Sequence, residues 1–513
     1  MYDLLVKNAL VMDGSGGKPF KANVGVAGDT IAVVASRNIE RAKRVVDASG
    51  LVLCPGFIDI HTHTDLQVLR DRDMSAKVRQ GITTDVSGNC GIGVFPNSPL
   101  LPDYVQDVLG VWDDWAWDDF SSYKRYVERG GIGINEVFLV SHTALRLAVL
   151  GEDPAREADG FEIERMCRLL ETALGQGALG LSSGLYYSPC LFASHEELLS
   201  LLRTLARHDA LFAVHHRCEG NGVVDSLREV LDLAKEAGCR LEVSHLKAIG
   251  MKNQDKVPEI LELIRRYREE GLDVGFDQYP YNYGSTSLFS LLPPRILGLT
   301  KIEMRLALSL ESERAAIKEE ILHPEGWDSV YEMVGPDNIT VLSSDSFPDV
   351  NGKKLSELGD DPLEALFDLL SEETGSAVMA DVTETEESLR RIMAHPLMTF
   401  GTDSLYSSPV PHPRSFHSTV RFLGYARDGV MSYEEAIRRM TGANADKLGL
   451  VDRGYVREGF RADLLLLDLE NFKENGSGND GLRLVLVNGM ACYDGRWRSP
   501  RSGRVVTRFR RNG

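Results

Sequence analysis

Cysteine is scarce in this chain. Seven thiols stand in 513 residues, at positions 54, 90, 167, 190, 218, 239 and 492, odd in number and scattered. That spacing excludes a disulfide framework and sets reduced thiols in a cytoplasmic protein as the expectation. Positive charge is also short: 57 Lys and Arg face 76 Asp and Glu, for a formal charge of −19. Nucleic acid and anionic membrane surfaces select basic patches, so neither is an expected partner, while a local cationic pocket for a small anion stays compatible with the excess. No apolar run approaches the roughly 18–20 residues of a membrane span. Met1-Tyr2-Asp3-Leu4-Leu5-Val6-Lys7 lacks the basic segment and apolar run of a secretory signal, so none is expected. The remainder, 43% hydrophobic and 26% charged, is ordinary for a globular chain and too long for one small core.

What is present falls into two textures. Residues 1–54 alternate apolar runs with Gly/Asp turns, and the far end repeats the pattern at Asp463–Asp468, Arg483–Gly489 and Met490–Tyr493, with an Asn-Gly hairpin signal. The two ends predict one discontinuous β domain, 1–54 with 455–513. Between them, strand-like runs at 51–63, 81–90, 135–142, 178–187, 211–217, 240–247, 273–281 and 398–404 alternate with amphipathic stretches such as Phe161–Leu174, His195–Arg207, Val224–Ala237 and Val257–Glu270. Eight strands alternating with helices predict an α/β fold, a (β/α)8 TIM-like barrel over 55–454, with reactive residues at the C-terminal strand ends. The gap before the last strand exceeds one crossover helix and predicts an inserted subdomain at about 288–345, placed over the site.

The strand ends carry the chemistry. Pro55-Gly56-Phe57-Ile58-Asp59-Ile60-His61-Thr62-His63 puts two imidazoles on one face of an extended segment. The later runs VSGNC, LFAVH, LEVSH and MTFGTD close on Cys90, His215, His245 and Asp403. Together these six suit one or two divalent metals, and thiolate with imidazole favours zinc over magnesium or calcium. The other six cysteines read as structural thiols. His195, His208, His323 and His395 fall on helices or loops, and His216 should face away from the barrel axis.

These residues resemble the amidohydrolase superfamily and, within it, the N-acyl-D-amino-acid deacylases (D-aminoacylases). The shared motifs run almost end to end: PGFIDIHTH at 55–63, GITT…GNCG at 81–91, SHTALR at 141–146, GLSSGLYYSP at 180–189, HHR at 215–217, SHLK at 244–247, DQYPY at 277–281, GTDS at 401–404 and HPR at 412–414. The resemblance implies a β-sandwich built from both chain ends beside the barrel. Most related hydrolases bridge two metals with a carboxylated lysine on the fourth strand. The run 178–187 has no lysine, and the D-aminoacylase branch is similar in using a strand-two cysteine. By resemblance, Cys90, His215 and His245 form a tight zinc site and His61, His63 and Asp403 a weaker one.

The expected reaction is hydrolysis of an N-acyl-D-amino acid by metal-activated water, with Asp403 as general base and proton carrier. Lys247 and Arg414 lie just past barrel-mouth positions, and Arg can grip a carboxylate with both arms. The family likeness adds Tyr187, Tyr279 and Ser285 to that clamp, and it alone supplies the D hand. Ser188-Pro189-Cys190 and the run after Arg414 depart from the family pattern and bear on the side-chain pocket. The expected partner is a small N-acyl amino acid; a homo-oligomer is left open. An alternative on the same scaffold is hydrolysis of a cyclic amide (hydantoin- or dihydroorotate-like) or deamination of a heterocycle. A metal-free binding scaffold is the non-enzymatic alternative.

Overall fold

Apolar runs too short for helices, set between amphipathic stretches, fold into eight parallel strands. They are Phe57–Asp59, Ile82–Ser87, Asn135–Ser141, Gly180–Gly184, Leu211–His215, Arg240–Val243, Val274–Gln278 and Met398–Phe400, paired in chain order. The computed structural model describes residues 1–39, 41–373, 376–476 and 478–508. Helices begin where the sequence offers caps. Asp159 and Glu162 form a reciprocal box at Gly160–Gln176, and the Ser194 hydroxyl accepts from Glu197 N at His195–Arg207. Their apolar faces wrap the barrel, so each strand end is placed by packing on both sides. Among the described residues no helix is long and apolar enough to cross a membrane.

The single strand expected over 51–63 is two. Val52–Pro55 joins the outer sheet and Phe57–Asp59 opens the barrel. Gly56 marks the break: a Cβ there would lie 2.1 Å from the Thr83 hydroxyl. His61 and His63 therefore follow the strand, on extended chain pinned by Thr62 N to Val86 O (3.1 Å) and His63 N to Ser404 O (3.1 Å). Alternation continues through it, and both rings face the barrel mouth.

The barrel closes between its first and eighth strands. Ile60 N donates to Phe400 O (3.3 Å) and Asp403 N to His61 O (2.8 Å). Asn444 completes this seam, its amide donating to Ile58 O (2.7 Å) and Phe400 O (2.9 Å), one carbonyl from each strand.

Both chain ends enter one continuous sheet. Met490–Tyr493, Leu482–Val487, Leu464–Leu467 and Val52–Pro55 lead into Tyr2–Val11, Phe20–Ala27 and Thr30–Ala35, with Ala42–Asp47 beside Tyr2–Val11. Alternate residues serve two cores. Leu464 and Leu466 meet Leu4, Val6 and Leu486 inside the domain, whereas Leu465, Leu467 and Val485 pack on the barrel. Asn488 and Gly489 turn the predicted hairpin with φ of 47° and 79°. Positions 40, 477 and 509–513 of the ranges expected for this domain lie outside the described residues.

The insertion is longer than about 288–345. Its antiparallel sheet pairs Tyr283–Ser287 and Ile339–Ser344 on either side of Ala377–Val382. A separate apolar core under it includes Leu288, Ile317, Val341, Phe367 and Met379. The strand that closes this unit pairs with residues far back in the chain, which no local pattern reveals.

Replacing Asn444 with Ala removes two buried hydrogen bonds at the seam, while Phe400 O keeps the one from Ile60 N. The expected loss is about 2 kcal/mol or more of unfolding free energy, read from urea denaturation midpoints.

Candidate metal centre

The C-terminal ends of the barrel strands, with the loops that leave them, bring all six sequence-predicted donors together. His61, His63, Cys90 and Asp403 form one group and Cys90, His215 and His245 another, with the donor atoms of each group within 4.8 Å of one another. Cys90 belongs to both. Its Sγ lies 3.2 Å from His61 Nε2 and 3.4 Å from His245 Nε2, and His245 Nε2 lies 3.1 Å from His215 Nδ1. Asp403 Oδ1 is 3.1 Å from His63 Nε2 and 3.5 Å from His61 Nε2.

The backbone holds these donors in a conformation that L residues adopt rarely. Cys90, His245 and Asp403 have φ of 52°, 34° and 50°, a placement costing about 1–3 kcal/mol per residue. Around Cys90 the chain is clamped from outside. Gly91 N donates to Ser182 Oγ (2.9 Å), and the same hydroxyl donates to Gly88 O. Ser182 sits on the fourth strand, where related hydrolases would need a lysine. That strand instead fixes the loop carrying the sulfur. A Cβ at Gly91 would meet Gly184 N at 2.6 Å, so the loop lies directly on the strand.

Sequence reading passed over two carboxylates behind the histidines. Asp277, at the seventh strand, takes His61 Nδ1 at 3.0 and 3.1 Å and accepts from His245 N (3.1 Å). Glu219, four residues beyond His215, lies 3.1 Å from His245 Nδ1 and 3.0 Å from Lys247 Nζ. Each acid orients an imidazole so that its other nitrogen faces Cys90, the arrangement that tunes histidine as a metal ligand. Asp277 stands in the quoted DQYPY motif, and His-His-Arg-Cys-Glu at 215–219 was the available signal for Glu219.

The charges at the site are coupled. Burial disfavours the Cys90 thiolate, yet His61 and His245 hold its pKa well below the ordinary thiol value. Burial likewise opposes ionisation of Asp403, and Arg414 and His61 overcome it, keeping the carboxyl well below its usual range. His245 rises to about 9 against burial and the Lys247 charge, because Glu219 and Cys90 face it. His215 goes the other way, lowered chiefly by burial. A thiolate, imidazoles and a carboxylate converging at one rim are a donor set that fits zinc, which histidine binds in its neutral form.

Beside the donors opens a cavity between barrel and insertion, lined by Tyr187, Lys247, Tyr279, Ser285 and Arg414 among others. Both cations are engaged. Arg414 Nη1 meets Asp403 Oδ2 at 2.7 Å and Nη2 donates to Ser285 O (3.0 Å), so serine contributes its carbonyl there. Tyr279 lies under the guanidinium, 4.8 Å from ring centre to Cζ, and the Tyr187 hydroxyl is 3.1 Å from Thr286 Oγ1. His216 turns away to Ser226 (3.0 Å). His142 is a buried structural residue between Ser183 (2.8 Å) and Glu197 (2.7 Å).

A parallel barrel with thiolate, imidazole and carboxylate donors at its C-terminal rim defines a metal-dependent hydrolase architecture. The chain belongs to the amidohydrolase family, whose model matches residues 44–333 and 350–493. It is 32% identical over 516 residues to a D-aminoacylase of Alcaligenes xylosoxydans xylosoxydans, covering 99% of this chain and 98% of that one. An N-acyl-D-glutamate deacylase of the same organism is 33% identical over 99% of this chain and 96% of its own. The solved N-acyl-D-glutamate deacylase of Bordetella bronchiseptica, complexed with zinc and a phosphonate that mimics the tetrahedral intermediate, superposes with a TM-score of 0.85. It is 29% identical and the match covers 99% and 100% of the two chains.

Removing the shared sulfur with Cys90→Ala should weaken zinc binding at least about tenfold. Equilibrium dialysis followed by metal analysis measures it, and stoichiometric zinc in the dialysed variant would contradict the shared-ligand assignment.

Proposed function

We propose that this chain is a zinc-dependent N-acyl-D-amino-acid deacylase, hydrolysing the amide to a carboxylate and a free D-amino acid. The observation that carries this is the cavity. Its one end reaches the donor rim at His215, His245 and Asp403, and its wall presents Lys247 and Arg414 within a chain of acidic net charge. Near full-length similarity to enzymes named for acylated D-amino acids supports the same reading.

Cys90, His215 and His245 would hold the tighter zinc, and His61, His63 and Asp403 with the shared sulfur a weaker one. Zinc held there supplies a Lewis acid that acidifies water and polarises the scissile carbonyl. Asp403 is the general base: its carboxylate takes a proton from water and returns it to the departing nitrogen. Its two oxygens are assigned by their neighbours, Oδ1 toward His63 and Oδ2 toward Arg414. Asp277 and Glu219 hold the His61 and His245 rings in register. Lys247 and Arg414, steadied by Glu219 and the Tyr279 ring, receive the substrate's α-carboxylate, with Tyr187 and Ser285 bounding the same space. A fixed carboxylate, a fixed carbonyl and the wall of the insertion are three points, enough to select one hand at the α-carbon. The seven cysteines are free thiols, which supports a reducing cytoplasmic setting.

Asp403→Asn should fold and retain zinc at the tight site while kcat falls about 100- to 10,000-fold. A variant turning over at near the wild-type rate would remove Asp403 from the mechanism. With paired N-acetyl D- and L-amino acids, chiral chromatography should find only the D-amine released; equal release of both hands would sink the stereochemical argument.

A further inference from the structure

Asp381 is a buried carboxylate with no direct side-chain partner among the described residues; its own backbone N–H and the charges of Lys247 and Arg414 favour its ionised form. It lies on the insertion strand Ala377–Val382, two residues after Met379, so both side chains fall on one face, and both line the cavity. Only 4% of Asp381 is exposed, and among the described residues no other residue gives its carboxylate a hydrogen bond or ion pair. Burial raises its pKa to about 6, opposed by the charges of Lys247 and Arg414. A buried anion without a partner is costly, and proteins keep one where a ligand completes it.

The two cations of the cavity act on it through their charge and make no direct ion pair with it. Lys247 Nζ is 3.0 Å from Glu219 and donates to His245 O (3.0 Å); Arg414 is bound to Asp403 (2.7 Å) and Ser285 O (3.0 Å). Beside Asp381 the bare Cα of Gly284 keeps space open: a Cβ there would lie 3.4 Å from Asp381 Oδ1 and 3.1 Å from the Tyr279 hydroxyl. A second carboxylate, Asp328, lines the same wall and accepts from Gly220 N (2.7 Å) and Gly222 N (3.3 Å), so it contributes negative field more than free acceptor sites. Ile249, Val330, Met333 and Met379 supply an apolar band between them.

Resting on the deacylase reading, we propose that Asp381 selects the substrate side chain, and that the preferred substrates are N-acyl-D-amino acids with a long aliphatic stem ending in a cation, such as D-lysine or D-arginine. The methylenes lie along the apolar band and the terminal ammonium or guanidinium meets Asp381, helped by the field of Asp328. Acidic side chains are disfavoured because Lys247 and Arg414, the cations lining the cavity among the described residues, are already committed to the reaction end.

The test uses the full-length, zinc-loaded enzyme with Nα-acetyl-D-lysine, its near-isostere N-acetyl-D-norleucine, and N-acetyl-D-glutamate. The expected kcat/KM for the lysine substrate exceeds that for norleucine by about tenfold or more, with glutamate lowest. In Asp381→Asn the lysine-to-norleucine ratio should collapse toward one, mainly through KM. A wild-type ratio of one or less overturns the proposal without any variant. So does a variant that slows both substrates equally, because Asp381 would then serve the common part of the substrate. Norleucine turnover without a lysine preference sinks this inference alone; no turnover of any D substrate sinks the deacylase reading and this with it.

Discussion

One sulfur atom ties the site together. Cys90 Sγ is the only donor common to both ligand groups among the described residues, and it faces rings from the first and sixth barrel strands at 3.2 and 3.4 Å. It can do so only because its loop leaves the second strand in a left-handed turn and is held down by Ser182 of the fourth. Strands one, two, four and six are thereby locked into one register at the rim. The strain in that turn is offset by the packing of the loop against the third and fourth strands, where glycines at 88 and 91 permit contact that any side chain would block.

Around the sulfur, charge is arranged in matched layers. Behind the histidines stand Asp277 and Glu219; beyond Glu219 stands Lys247; on the opposite side Asp403 is faced by Arg414. Each of these buried charges has a partner of opposite sign within about hydrogen-bond range, as a low-dielectric interior favours. The acidity of the chain as a whole thus says little about this pocket. Asp381 departs from the pattern, and it does so on the inserted unit, the part of the molecule that approaches the rim from outside the barrel.

Much of this was readable from the sequence, for a physical reason. Barrel strands are short, buried and followed by donors, so a run such as LFAVH or LEVSH discloses both the strand and the residue it delivers. Helices with strong caps, such as His195–Arg207, matched their predicted bounds for the same local cause. Interactions that join distant segments stayed hidden. The split at Gly56 depends on Thr83, the return strand Ala377–Val382 pairs with Tyr283–Ser287, and the roles of Asp277 and Glu219 exist only once His61 and His245 are beside them. The family likeness suggested Lys247 and Arg414 as a clamp for substrate, yet it could not show that each is paired with an acid of the protein itself.

The junction between the first and last barrel strands has a further meaning. Few backbone contacts cross it, and His61 and His63 stand on one bank while Asp403 stands on the other. An ion held from both banks would add a further link across that junction. Metal binding at that place would add to the hydrogen bonds that already close the seam, and would therefore couple to the stability of the folded barrel.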